Sequence, residues 1–133
     1  MASGLYASGR EGFLDGSIDW DTDDIRAVLV DTGTYTVDLA THNMHDDLSG
    51  IVATSGNFSG KTVTGGVADA SDVTFTAVSG STVEAIVIYK WTGSSATSRL
   101  IAYIDTATGL PVTPNGGDIT VSWDSGSNKI FKL

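Results

Sequence analysis

Thr82-Val83-Glu84-Ala85-Ile86-Val87-Ile88-Tyr89-Lys90 decides how the rest of the chain is read. At a period of two, Val83, Ala85, Val87 and Tyr89 share one face of a strand, and Ile86 and Ile88 make the opposite face apolar too. A strand with one wet face would alternate, so this run reads as a central strand or as one covered by a neighbour. Ile25 to Val30 and Leu100 to Ile104 have the same two-sided character.

Outward from these runs the pattern changes to clean alternation. Val73, Phe75 and Ala77 oppose Asp72, Thr74 and Thr76; Ile119, Val121 and Trp123 oppose Thr120, Ser122 and Asp124. These predict strands with one buried and one solvated face. Lys129-Ile130-Phe131-Lys132-Leu133 predicts a last strand. Turn signals separate the runs: Asp31-Thr32-Gly33, Gly56-Asn57, Gly65-Gly66, Ser79-Gly80-Ser81, Gly93-Ser94-Ser95, Asn115-Gly116-Gly117 and Asp124-Ser125-Gly126. Glycine and asparagine supply the positive φ that tight hairpins require. Helix signals are few. Ser8-Gly9-Arg10-Glu11 has capping-box spacing and Gly16 is placed to close a short helix, although the glycines between Gly4 and Gly12 weaken it. Thr41 to Leu48 predicts one or two turns with Met44 and Leu48 on one side. Short strands at regular spacing predict an all-β fold, a single antiparallel β-sandwich or partly open barrel over residues 1–133, with short helical segments near the N-terminus and around residues 41–48.

The 133 residues suit one domain, large enough to bury a core without staples. There is no cysteine, which excludes disulfides, thiolate metal sites and a cysteine nucleophile. Sixteen acidic side chains face seven lysines and arginines, for a net charge of −9. Glu11 and Glu84 are the only glutamates. The cations are scattered, so neither nucleic acid nor an anionic membrane is an expected partner. No apolar window approaches a membrane span, and Met1 to Gly16 lacks the apolar stretch of a secretory signal. Synthesis in the cytosol is the expectation.

Four segments approach catalytic or metal motifs. Ala27 to Thr34 resembles the strand that delivers Asp-Thr-Gly in retroviral-type aspartic proteases. The later apolar runs lead into Tyr89-Lys90 and Asp105-Thr106, however, where that family has an apolar-apolar-Gly segment; Asp31-Thr32-Gly33 therefore reads as a turn. Ser55-Gly56-Asn57-Phe58-Ser59-Gly60-Lys61-Thr62 nearly matches a phosphate-binding loop, but Ser55 replaces its first glycine and no helix pattern follows. Asp19, Asp21 and Asp23 alternate as calcium ligands do, yet Asp24 and Val30 stand where an EF-hand needs glycine and glutamate. His42 and His45 would share a face on a helix, beside Asp46 and Asp47, without a third ligand cluster. No Gly-x-Ser-x-Gly nucleophile elbow is present. The expectation is a protein without a catalytic residue, metal or cofactor, acting by contact. Exposed aromatics carry contact sites, which singles out Trp91 at the edge of a Gly-Ser-Ser loop and Tyr35 after the Asp31 turn.

Leu5-Tyr6-Ala7-x-Gly9-Arg10-Glu11-x-Phe13-Leu14-Asp15-Gly16-Ser17-Ile18-Asp19-Trp20 resembles the opening of a family of small virion structural proteins of tailed bacteriophages and prophages. Val28-Leu29-Val30-Asp31-Thr32-Gly33-Thr34-Tyr35, Leu100 to Val112, and Asn115 through Phe131 are similar to the same family. The resemblance implies a particle component, head decoration-like, and brings no catalytic residue. It implies assembly in host cytoplasm and a place on the virion, with the major capsid protein or other virion proteins as partners. A homo-oligomer is expected, a trimer at local three-fold points being one form that adds multivalency. Leu5, Tyr6, Arg10, Phe13, Tyr35 and Trp91 are the candidate interface residues. The segment Ser3 to Gly12 reads as a clamp or arm within residues 1–16, removable without unfolding the domain. Two alternatives stand beside a capsid decoration or cement protein: a tail or head-fibre adaptor, and a calcium-dependent glycan-binding module.

Overall fold

The computed structural model describes residues 3–107, 109–123 and 129–132. Along these run β1 (Gly4–Leu5), α1 (Ala7–Asp15), β2 (Ile25–Val30), β3 (Ile51–Thr54), β4 (Thr62–Thr64), β5 (Val67–Asp69), β6 (Val73–Phe75), β7 (Ala85–Lys90), β8 (Leu100–Ile104), β9 (Ile119–Val121) and β10 (Phe131–Lys132), with one 3-10 turn at His45–Asp47. Every strand pair is antiparallel. The order is β1-β8-β7-β2-β3 in one sheet, β10-β5-β4 in a second and β6-β9 in a third. The fold is all-β and sandwich-like: the five-stranded sheet packs against the two smaller ones. Asp124 to Gly126 and Leu133, read above as a turn and a strand end, lie outside the described residues, as does Thr108.

The two-sided runs occupy the middle of the large sheet because only there are both faces covered. β7 pairs with β2 from Ile25↔Lys90 to Val30↔Ala85, and with β8 on its other side. One face presents Ile25, Ala27, Leu29, Ile86 and Ile88 to Trp20, Phe58, Ala68, Val73 and Phe75 of the opposing layer. The other face carries Val28, Val30, Ala85, Val87, Tyr89, Leu100 and Tyr103. It is covered by Tyr6 and Tyr35, with Val37, Leu39 and Leu48 around them. Each such aliphatic side chain contributes about 1.5–3 kcal/mol on burial. Between Ile88 and Tyr89 the β7–β8 register slips, so Leu100 opposes Tyr89 while Ala102 opposes Ile88. Ile101 is the extra residue, and both Ile101 and Ala102 face the inter-sheet core. Val83 departs from the pattern: it forms an isolated bridge with Val112 ahead of β7 and packs in the inter-sheet core.

The alternating runs form the outer layer. Val73 and Phe75 are buried, and Thr74 Oγ1 lies 3.1 Å from Thr120 Oγ1 on the wet face of the β6–β9 pair. The expected inward position of Ala77 is not found. β6 ends at Phe75, and Ala77 is exposed at φ +50°, its N–H donating to Asp118 Oδ1 (3.0 Å). The β4–β5 hairpin turns on Gly65 and Gly66, at φ +60° and +77°, the two positive values of a type I′ turn.

The N-terminal segment is no free arm. β1 pairs with β8, and the Tyr6 N–H continues that edge by donating to Ile101 O (2.9 Å). α1 then lies along β8, closed by Gly16 in the left-handed conformation (φ +82°). It starts after Tyr6, without a side-chain cap, so Ser8 is not the cap its spacing suggested. Ser8 Oγ donates across to Leu100 O (3.0 Å). The glycines that spoke against a helix make its seat possible. A Cβ on Gly9 would stand 2.7 Å from Ile101 O, and one on Gly12 would overlap the Ile18 side chain. The second helical segment shortens to one 3-10 turn, because the Asp47 carboxylate accepts the N–H groups of Asn43 (2.8 Å) and Met44 (3.2 Å) and closes the loop locally. No helix among the described residues is long and apolar enough to cross a membrane.

Candidate functional site

The acidic segment before β2 folds into a loop that this chain's own cations close. The Asp19 N–H donates to Asp23 Oδ2 (2.8 Å), and the Asp23 N–H donates to Asp19 O (2.9 Å). Arg26 grips Asp24 through Nε (2.9 Å) and Nη2 (3.0 Å). Lys90 Nζ stands 3.1 Å from Asp23 Oδ2 and donates to Ser17 O (2.6 Å). Lys61 Nζ donates to Asp23 O and to Asn57 Oδ1. Asp19 and Asp21 stay at the surface, two residues apart in the same loop. Their mutual interaction, with help from Thr22, holds the Asp19 carboxyl below its ordinary range and pushes Asp21 up. Among the described residues, no three of His, Asp and Glu stand together as metal ligands.

The histidines diverge. His42 Nδ1 lies 2.9 Å from the Tyr35 hydroxyl, which in turn lies 2.8 Å from the buried Tyr6 hydroxyl. His45 packs against Tyr89 (ring centroids 4.7 Å apart) and Trp91 (5.9 Å). Burial lowers its pKa against the opposing pull of Asp46. A shared helical face would have been needed to point both rings at one ion.

Asp31 makes the turn its sequence suggests: Oδ1 accepts the Gly33 N–H (2.9 Å), and its carbonyl accepts the N–H groups of Thr34 and Tyr35. Glu84 Oε1 accepts the Thr32 N–H (2.9 Å) beneath it. Glu84 shares a surface recess of about 380 Å³ with Asp105, but Asp105 is engaged by the Ser3 hydroxyl (2.8 Å). In the loop resembling a phosphate cradle, Ser55 is buried and its Oγ accepts the Ala27 N–H (2.9 Å). Asn57 Oδ1 accepts the Ile25 N–H (3.0 Å), and strand β4 follows where a phosphate site needs a helix. The second segment thus fastens β2, and the first closes the turn that follows it.

The candidate interface residues divide. Tyr6 and Tyr35 are buried (0% and 2% exposed) and hydrogen-bonded to one another, so neither offers surface to a partner. A tyrosine can be buried once its hydroxyl finds a partner, here one 29 residues away in the chain. Leu5 is half-buried against the inter-sheet core. Trp91 is half-buried, with Arg26 Cζ 5.6 Å from its ring centre. Arg10 is exposed and donates to Leu5 O (3.0 Å). Phe13 is half-buried, 5.7 Å from the Phe131 ring.

Phe13 leads to a surface feature that the sequence did not single out. A notch of about 300 Å³ opens between the end of α1 and the β4–β5 hairpin. Buried Ile18, Trp20 and Ala68 floor it; Phe13, Phe131 and Val63 wall it; Asp19 stands at its edge. Trp20 meets Phe131 edge-on at 5.2 Å and is fixed by its indole N–H donating to Asp69 O (2.9 Å). Val63 is 55% exposed, and Leu14, next to Phe13 on α1, is 86% exposed. The available signals were faint: one valine between the threonines of Thr62-Val63-Thr64, and one leucine in a polar helix. A larger cleft of about 660 Å³ lies between β8 and the β9 and β10 strands, lined by Ile86, Ile104, Val121, Trp123 and Ile130 with Lys129 at hand. No described residue lining it is a carboxylate or an imidazole.

Against known proteins, the chain matches no family model, and no curated protein matches it.

Proposed function

We propose that this chain is a non-enzymatic structural protein of a tailed-phage particle, a decoration or cement protein bound to the outside of the head through the major capsid protein. One observation carries the reading toward contact and away from turnover. The carboxylates of Asp23, Asp24, Asp31, Asp47 and Glu84 and the His42 imidazole are engaged in holding loops and strand edges, while large apolar side chains stay at the surface on α1 and β4. The choice of particle rests on the likeness of the opening, of Val28 to Tyr35 and of Leu100 onward to small virion proteins. Assembly as a homo-oligomer, a trimer in the simplest form, would join several weak docking contacts into one stable attachment.

Quantitative mass spectrometry of purified particles, with a particle reconstruction, tests this. The expected result is a copy number comparable with that of the major capsid protein and density on the outer head surface. A few copies at a vertex or tail would make the chain an adaptor instead. Absence from the particle overturns the proposal.

A further inference from the structure

The notch beside α1 combines an apolar lining with an acidic edge, and no lysine or arginine stands among the described residues that line it. Its floor and walls bring together three aromatic rings, those of Phe13, Trp20 and Phe131, with Ile18, Val63 and Ala68. Asp19 lines its edge, and Asp21 is exposed two residues further along the same loop. The three cations of the acidic loop are turned elsewhere. Lys90 is bound to Asp23 and Ser17 O, Lys61 to Asp23 O and Asn57, and Arg26 to Asp24.

We propose that this notch receives a lysine or arginine side chain of a partner protein, its alkyl stem on the Phe13, Phe131 and Val63 walls and its charged head at Asp19 and Asp21. Long cationic side chains lay an apolar stem along apolar surface and keep the head at a polar rim. Aromatic walls add attraction for the same cation. Charge complementarity selects the occupant. A second copy carries the same net charge of −9, and anionic surfaces are repelled by the same field. The exposed Leu14 follows Phe13 in α1 and leaves a further apolar side chain at the surface there, outside the notch lining. This deepens the contact reading above and names the chemistry of the surface that docks.

The test uses the full chain alone, so its outcome is independent of any particle. Isotope-labelled protein is titrated with hexylammonium chloride and, at matched ionic strength, with sodium hexanoate, which has the same apolar body and the opposite charge. The Trp20 indole N–H and Val63 amide resonances report the notch. Hexylammonium is expected to shift both saturably at about millimolar concentration, with hexanoate at least about tenfold weaker. Asp19→Asn and, separately, Asp21→Asn should erase most of that preference while leaving resonances outside the loop in place. Using both variants guards against a loop disturbed by the loss of one carboxylate. Equal response to the two probes, no response to hexylammonium, or an undiminished preference in both variants overturns the proposal. Saturable, charge-selective binding by a chain that is absent from particles would retain the site and refute the particle assignment.

Discussion

His45 shows what a single residue's surroundings do to its chemistry. Packed on Tyr89 and Trp91, the imidazole resists protonation, and burial outweighs the help of Asp46. The unfolded chain takes up this proton near the ordinary value of 6.5, the folded chain only at lower pH. Between the two the unfolded state binds more protons, so stability rises with pH through that window and falls on acidification. The urea midpoint should therefore drop as the pH falls through and below the ordinary histidine range, and His45→Gln should flatten that part of the profile. An equally steep profile in the variant would place the titration elsewhere. The histidine pair also marks what spacing alone conveys. Three residues apart means a shared face only on a helix; with a single 3-10 turn at His45–Asp47, His42 turns to Tyr35 and His45 to Tyr89. Asp31 was legible because its turn is local, closed by a bond two residues along. Tyr6 and Tyr35 were not, since their burial depends on hydroxyl partners that only the tertiary fold brings together.

At the scale of elements, β7 was readable because its composition carries the answer: apolar residues on both faces demand cover on both, and the sheet supplies it. The N-terminal helix, expected and found, was only faintly legible for an equally physical reason. Helix propensity counts each glycine as a loss of about 1 kcal/mol, but Gly9 and Gly12 are where α1 touches β8 and Ile18. Close packing against a neighbour offsets that loss, and no local scale contains it. Deleting residues 2–12 would remove β1, the buried Tyr6 and most of α1 together, and with them the edge of β8 and part of the cover over Val87 and Tyr103. The deleted chain should lose the near-ultraviolet circular dichroism and dispersed amide spectrum of a packed core; a truncated chain with both intact would restore the arm. Gly9→Ala probes the same seat gently. Its methyl must displace the Ile101 backbone, a strain of about 1–3 kcal/mol. Gly16→Ala meets no atom and carries only the positive-φ penalty, about 1–2 kcal/mol.

Over the whole molecule, charge is the property least visible in any one contact. Sixteen carboxylates against seven cations leave a net charge of −9. Three ion pairs are formed among the described residues: Lys90–Asp23, Arg26–Asp24 and a long Arg99–Asp15 contact at 4.0 Å. Pairs this exposed each contribute at most about 1 kcal/mol, whereas the unpaired excess repels itself throughout the folded state. Screening should then stabilise the protein. The Debye length falls from about 30 Å at 0.01 M salt to about 10 Å at 0.1 M, which silences long-range repulsion before it weakens contacts near 3 Å. The urea midpoint should rise as sodium chloride is added over that range. A fall would mean that the three pairs outweigh the excess charge, and that the field invoked around the notch is too weak to choose its occupant. The same addition should act oppositely on docking, since attraction of a cationic probe to Asp19 and Asp21 is screened by the ions that relieve self-repulsion. Opposite slopes for stability and for hexylammonium affinity, measured in one salt series, would trace both to one acidic field. Parallel slopes would separate them and leave the notch a merely apolar recess.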